Sequence, residues 1–188
     1  MKAQRIARNR TLAAALTPDP ATSKPYTVSH GGAALSAGNY ALLPLDLRTD
    51  ALDALLPLLD TSLPTLLLAE CVFCYMKEED SRAVIRWFGA TFPRAAVAIY
   101  EMVGLKCVLE VLADLLDVPA DPSDAFGRVM HRNLAQRNLS LPGAVFDSPK
   151  AQAERFTDPQ LGEGAFTHSG AKSLWDVRGD LPKAELAR

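Results

Sequence analysis

Cysteine is scarce in this sequence, at three residues in 188. Cys71, Cys74 and Cys107 are too few to frame a disulfide-stapled fold, and a reducing compartment, the cytoplasm, is expected. Positive charge is not in excess either. Twenty Lys and Arg stand against 22 Asp and Glu, a net charge of −2, whereas a nucleic-acid partner requires a basic face to neutralise phosphates. No nucleic acid is expected to bind. Long apolar runs are missing, because Pro57, Asp60, Pro64 and Glu70 cut them well short of the ~20 residues of a membrane span, so no membrane association is expected. Gly31, Gly32 and Gly38 do not make a G-x-G-x-x-G after a strand and are expected to form a turn. His131 and His168 lack metal-ligand spacing, so no metal site is expected.

What is present suits one α/β domain over residues 1–188, since 48% hydrophobic and 22% charged residues can build a core. Its centre is Pro64–Met76, PTLLLAECVFCYM, a continuous apolar run of the kind a parallel strand covered by helices on both faces requires. An unpaired carboxylate inside such packing would cost several kcal/mol or more. Glu70 is therefore placed where the strand runs out into a ligand crevice. Glu78–Phe92 reads as a helix with Ala83, Ile85, Trp87, Phe88 and Phe92 inward and Glu78, Glu79, Asp80, Arg82 and Arg86 in solvent. Ala95–Val103 reads as the next buried strand, ending on Tyr100 and Glu101. Strand, helix and strand in this order predict a right-handed parallel crossover.

Upstream, Met1–Leu16 carries Lys2, Arg5, Arg8 and Arg10 and has two readings: a transit segment, or a helix turning Ile6, Leu12, Ala13 and Leu16 to a core. The low serine content favours the helix. Tyr40–Leu47 reads as a third parallel strand, with Asp46-Leu47-Arg48 at its C-terminal end. Asp46 and Arg48 suit a ligand contact, a local ion pair or a helix cap. Asp50–Leu59 is a leucine-rich helical pattern broken at Pro57. Cys71-x-x-Cys74 invites a redox or zinc reading, yet it is expected inside the strand, where the two thiols would point to opposite faces as small buried hydrophobes.

Downstream, Leu105, Val108, Leu109, Leu112, Leu115 and Leu116 make an amphipathic stripe, so Leu105–Val118 is expected to be a helix packing on the domain's own helices. Ser123–Asn138 follows as a helix with Phe126, Val129, Met130 and Leu134 inward and Arg128, Arg132 and Arg137 outward. Ser148-Pro149 opens a short helix. Gly162–Gly179 reads as a loop anchored by Trp175 and Val177.

Tyr40–Arg48 (YALLPLDLR), Pro64–Met76 and Phe126–Gly143 (FGRVMHRNLAQRNLSLPG), in this order, resemble the leucine carboxyl methyltransferases. The resemblance runs from about Ala3 to Pro182, is strongest between Tyr40 and Glu101, and includes Lys2–Leu12 as the helix that leaves the cofactor strand. It implies a partial Rossmann-like methyltransferase fold, with a parallel sheet and flanking helices, in which Leu105–Val118 is an insertion. It implies S-adenosylmethionine as cofactor and the C-terminal leucine carboxylate of the protein phosphatase 2A catalytic subunit as substrate. By the same resemblance Asp46 and Leu47 contact the adenosyl group, Glu70 holds the methionyl amino group, and Tyr75 lines the methyl-transfer space or else is a core aromatic. Tyr100, Glu101 and Arg128 fall to the substrate side, where an arginine can pair bidentately with a carboxylate.

Transfer to a terminal carboxylate, with a pKa near ~3.5, needs no general base, which accounts for the missing His-Ser or paired-carboxylate constellation. Members of the family place a glycine-rich cofactor loop and an acidic ribose-binding strand end ahead of the region matching Lys2. Neither is found in these 188 residues, and the chain alone is expected to bind the cofactor weakly. Two other readings stand beside the enzyme: a silent module that docks the phosphatase, and the related tRNA wybutosine methyltransferase.

Overall fold

The computed structural model describes residues 2–103, 125–146 and 148–182. They fall into two compact units, Met1–Leu59 and Asp60–Arg188. Leu105–Val118 and Ser123 lie outside the described residues.

In the first unit, helices α1 (Lys2–Arg8) and α2 (Arg10–Ala14) are separated at Asn9, whose side chain accepts from the Leu12 N–H at 3.1 Å. This is capping chemistry inside what the sequence predicts as one helix. Ile6 and Leu16 pack on the buried Ala3, Leu35 and Ala37 as expected. Leu12, assigned to the core, is instead half exposed at 49%, because the break rotates α2 off the stripe. Strands β1 (Thr27–Ser29), β2 (Ala34–Ala37) and β3 (Tyr40–Leu42) form an antiparallel meander with Leu35 opposite Leu42.

The expected parallel strand Tyr40–Leu47 is therefore corrected: it is three residues long and lies in an antiparallel sheet. Gly38-Asn39 turns the chain back on itself. Asn39 accepts from the Thr17 N–H and donates to the Ala15 carbonyl, both at 2.9 Å. A Cβ at Gly38 would lie 2.6 Å from the Pro18 carbonyl oxygen. Pro44, with no N–H to donate, cannot continue the ladder. Leu52–Leu58 is a 3-10 helix carrying Pro57.

In the second unit, β4 (Thr65–Glu70) and β5 (Ala95–Tyr100) pair in parallel from Thr65 opposite Ala95 to Glu70 opposite Tyr100. Helix α3 (Glu78–Thr91) makes the crossover. This is the expected α/β unit. Val84, Ile85, Phe88 and Phe92 are buried, and the Phe88 and Phe92 rings lie 4.9 Å apart. Ala83 is exposed, whereas Ser81, in the same turn, is 1% exposed and donates to the Glu78 carbonyl. Arg82, expected in open solvent, pairs with Glu78 and Asp158. The expectation of cover on both sheet faces is met on one only among the described residues, since Leu66 and Leu68 are 60% and 73% exposed.

Helix α4 (Ala125–Ala135) sets Met130 and Leu134 on Cys74, Leu141 and Ala144. Val129, assigned to that stripe, is 53% exposed. Asn138, at φ 54°, ends the helix, with the Leu139 N–H reaching back to the Leu134 carbonyl at 3.0 Å. Helix α5 (Pro149–Thr157) starts where Ser148-Pro149 predicts, with the Ser148 hydroxyl accepting from the Ala151 N–H. Beyond a 3-10 turn at Pro159–Gly164 the expected loop is corrected: Leu174–Asp180 is a helix, α6, and Val177 is 41% exposed. Ser173 and Asp176 form a reciprocal capping box that offsets the glycine at 179. No described helix is long and apolar enough to cross a membrane.

Candidate functional site

Glu70 and Tyr100 are the last residues of β4 and β5 and stand opposite each other in register. Both are exposed, Tyr100 at 47%. The C-terminal edge of a parallel pair is where open α/β sheets gather ligands, and directly opposed residues share one face of the sheet. A carboxylate and an aromatic ring thus lie side by side at that edge.

The chain leaves β4 one residue after Glu70. Cys71 takes φ 48°, a left-handed conformation uncommon outside glycine, while its N–H still donates to the Tyr100 carbonyl at 2.8 Å. A 3-10 turn at Phe73–Tyr75 follows. This corrects the placement of Cys71 and Cys74 inside the strand, although Cys74 is buried as the hydrophobic reading requires. Burial, reinforced by the negative charge of Glu101, pushes the Cys74 thiol up to about 12 and raises Cys71 as well. Both are free neutral thiols, the opposite of what a redox pair needs. Among the described residues no cluster suits a metal ion.

Tyr75 is carried outward by the turn and is 45% exposed, which disposes of the core-aromatic alternative. Phe73 is the anchor, at 1% exposure. The turn is held from two sides. Gly143 donates to the Cys74 carbonyl at 3.0 Å, and the Glu101 carboxylate accepts from the N–H groups of Val72 (3.0 Å), Phe73 (2.8 Å) and Cys74 (3.3 Å). Glu101 is thus engaged with backbone in this structure. Behind it lies Arg155 of α5, 7% exposed, its guanidinium 4.4 Å from the Phe146 ring and 5.3 Å from the Phe73 ring. It donates to Gln152 and to the Ser81 hydroxyl. Burial lowers Arg155 to about 10, a fall opposed by Glu101 and Glu78, so it stays charged at neutral pH.

Sequence reasoning missed Arg155 and Gly143, since an arginine in a short polar helix and a glycine after a proline look like surface and turn. The signal available was the aromatic spacing around them, at Phe146 and Phe156. Arg128 lies on α4, whose Met130 and Leu134 pack against the Cys74 cluster. Arg132 and Arg137 are exposed.

Asp46 and Leu47 belong to the first unit. Among the readings open for Asp46, the local ion pair is formed: Arg48 Nε meets Oδ1 at 2.9 Å and a terminal nitrogen meets Oδ2 at 2.7 Å. The Arg48 N–H also donates to Oδ1 at 3.0 Å. The Arg48 hydrogen bonds lower the Asp46 carboxyl to about 2. A carboxyl depressed below its ordinary value of 3.8 contributes stability above that pH and loses it as pH falls through about 2. A carbon-detected NMR titration is expected to place the Asp46 midpoint near 2 and to move it only part of the way back toward 3.8 in Arg48→Gln, because the backbone N–H of residue 48 still donates to Oδ1.

The family model described as leucine carboxyl methyltransferase matches residues 17–89. The chain is 48% identical, over its whole length, to leucine carboxyl methyltransferase 1 of Cryptococcus neoformans, of which it covers 52%. It is 31% identical over 90% of its length to the protein of the same name from Bos taurus, covering 48% of that relative. A Yarrowia lipolytica protein of that name is 34% identical over 62% of this chain. The chain spans about half the length of the Cryptococcus and Bos relatives.

Proposed function

The chain belongs to the leucine carboxyl methyltransferase family, and from that membership we propose that it acts in methyl transfer from S-adenosylmethionine to the C-terminal leucine carboxylate of the protein phosphatase 2A catalytic subunit. The observation that carries this reading is the pairing of Glu70 with Tyr100 at the open ends of β4 and β5. The donor set suits the cofactor. Glu70 offers an exposed carboxylate to the methionyl ammonium, and the exposed rings of Tyr75 and Tyr100 offer π faces that favour a cation. Asp46 uses three of a carboxylate's about four acceptor sites on residue 48, two for the Arg48 side chain and one for its N–H, so one site on Oδ2 can still accept from the adenine amino group. The Leu47 N–H supplies the matching donor.

When bound, S-adenosylmethionine supplies a methyl group on a positively charged sulfur. The substrate carboxylate is ionised at neutral pH, so this chain's residues have no proton to remove. Their work is orientation and exclusion of water. Glu70 fixes the cationic end, Tyr75 walls the transfer space, and Arg128 is the candidate partner of the incoming carboxylate. The same reading places the protein in the cytoplasm.

The test is transfer of a tritiated methyl group to a leucine-terminated peptide at millimolar cofactor. Label released by mild base is expected on the free acid and not on the same peptide ending in an amide. Label on the amidated peptide, or on tRNA, would overturn the reading. A silent docking module is the second reading. Peptide binding with no label under these conditions is its signature.

A further inference from the structure

Resting on the reading above, we propose that Glu101 is a positioning residue: with the caged Arg155 behind it, it fixes the turn after β4 and so sets where Tyr75 is delivered, and it does not touch the substrate. Glu101 follows directly on β5, and its two oxygens gather three consecutive N–H groups from the turn that follows β4, at 3.0, 2.8 and 3.3 Å. Val72 is right-handed and caps the 3-10 turn, so these are the unpartnered first N–H groups of a helical turn, which converge and favour negative charge. The left-handed Cys71 redirects the chain from β4 into that turn. One carboxylate therefore stands in for the ladder partners that Val72, Phe73 and Cys74 lose when the chain departs from β4.

The carboxylate is only half-buried, and the turn is braced on its Phe73 side by Arg155. Its guanidinium is fixed by the Phe73, Phe146 and Phe156 rings, at 5.3, 4.4 and 5.9 Å, and by Ser81 and Gln152, and its charge interacts with that of Glu101. Phe73 belongs both to the turn and to the cage, so the cation and the anion grip the same three-residue turn, one through its ring and the other through its N–H groups. The last residue of that turn is Tyr75. A substrate carboxylate approaching Glu101 would meet like charge, which a substrate contact would have to avoid.

The experiment compares the wild-type chain with Glu101→Ala, Glu101→Gln and Arg155→Met by NMR amide exchange and by kinetics of the peptide transfer. In Glu101→Ala the Val72, Phe73 and Cys74 amides are expected to exchange at least about tenfold faster, while those of Leu67 and Val97 in the strand pair keep their rates. Glu101→Gln retains one acceptor oxygen and is expected to keep Val72 and Phe73 protected and release Cys74. Arg155→Met is expected to loosen all three, and it keeps the proposal testable if Glu101→Ala fails to fold. In the transfer assay kcat is expected to fall and the peptide KM to stay within about twofold. Unmoved amides, or a raised peptide KM at unchanged kcat, would overturn the proposal. Absence of transfer by the wild type would count against the methyltransferase reading, while the amides would still decide the role of Glu101.

Discussion

Alanine at position 143 is expected to destabilise the chain by about 3 kcal/mol or more, at the upper end of what overpacking costs. A Cβ there would lie 2.1 Å from the Phe73 carbonyl oxygen and 2.4 Å from that of Met76. Both obstacles are backbone, so no side chain can rotate away. Retreat of residue 143 is blocked as well, because its N–H is bonded to the Cys74 carbonyl at 3.0 Å. Nor can the turn move outward, since Phe73 and Met76 are 1% and 4% exposed and the Glu101 carboxylate holds the opposite side. Urea unfolding followed by circular dichroism measures the loss as a shift of midpoint at constant slope. Gly170→Ala is the control, since a Cβ there meets nothing within 4 Å, and it is expected to stay within about 0.5 kcal/mol of wild type. A Gly143→Ala chain as stable as the control would mean that the turn is not gripped between Gly143 and Glu101.

The parts of the fold that were legible in the sequence are those whose signal is local and long. Helix α3 has a fourteen-residue amphipathic pattern stopped before Pro93, and it lies where the pattern puts it. β4 and β5 are apolar runs joined by that helix, which leaves few topologies, and Glu70 falls at the strand end because burying it would be too costly. Tyr40–Leu47 misled because three-residue strands carry almost no periodicity, and reading Gly31, Gly32 and Gly38 together as one turn hides the chain reversal that Gly38-Asn39 makes between β2 and β3. Leu174–Asp180 misled in the opposite sense: glycine and serine suggested a loop, while the Ser173 to Asp176 spacing already spelled a helix start. Asp46 was legible as a set of alternatives, and only the bidentate geometry with Arg48 selects the ion pair. Arg155 was not legible. A buried arginine depends on three rings from separate stretches, and no pattern along the chain brings Phe73, Phe146 and Phe156 together.

The chain is expected to bind S-adenosylmethionine weakly, with Kd on the order of 1 mM, about −4 kcal/mol. On the proposed reading the second unit meets the methionyl ammonium through Glu70 and the positive sulfur through the exposed rings of Tyr75 and Tyr100. One charge-assisted hydrogen bond at about 1.5–3 kcal/mol and two ring contacts at about 0.5–1 kcal/mol each sum to a few kcal/mol, the millimolar range. If Glu70 holds the ammonium as proposed, Glu70→Ala is expected to weaken binding a further tenfold or more, at about 1.5–3 kcal/mol for a charge-assisted bond.

Titration of the isotope-labelled chain with S-adenosylmethionine, read amide by amide, tests the central claim that the ends of β4 and β5 form part of a cofactor site. The account predicts millimolar, saturable shifts at Glu70, Tyr75 and Tyr100, lost in Glu70→Ala. Shifts confined to other residues, or micromolar binding indifferent to Glu70→Ala, would contradict it.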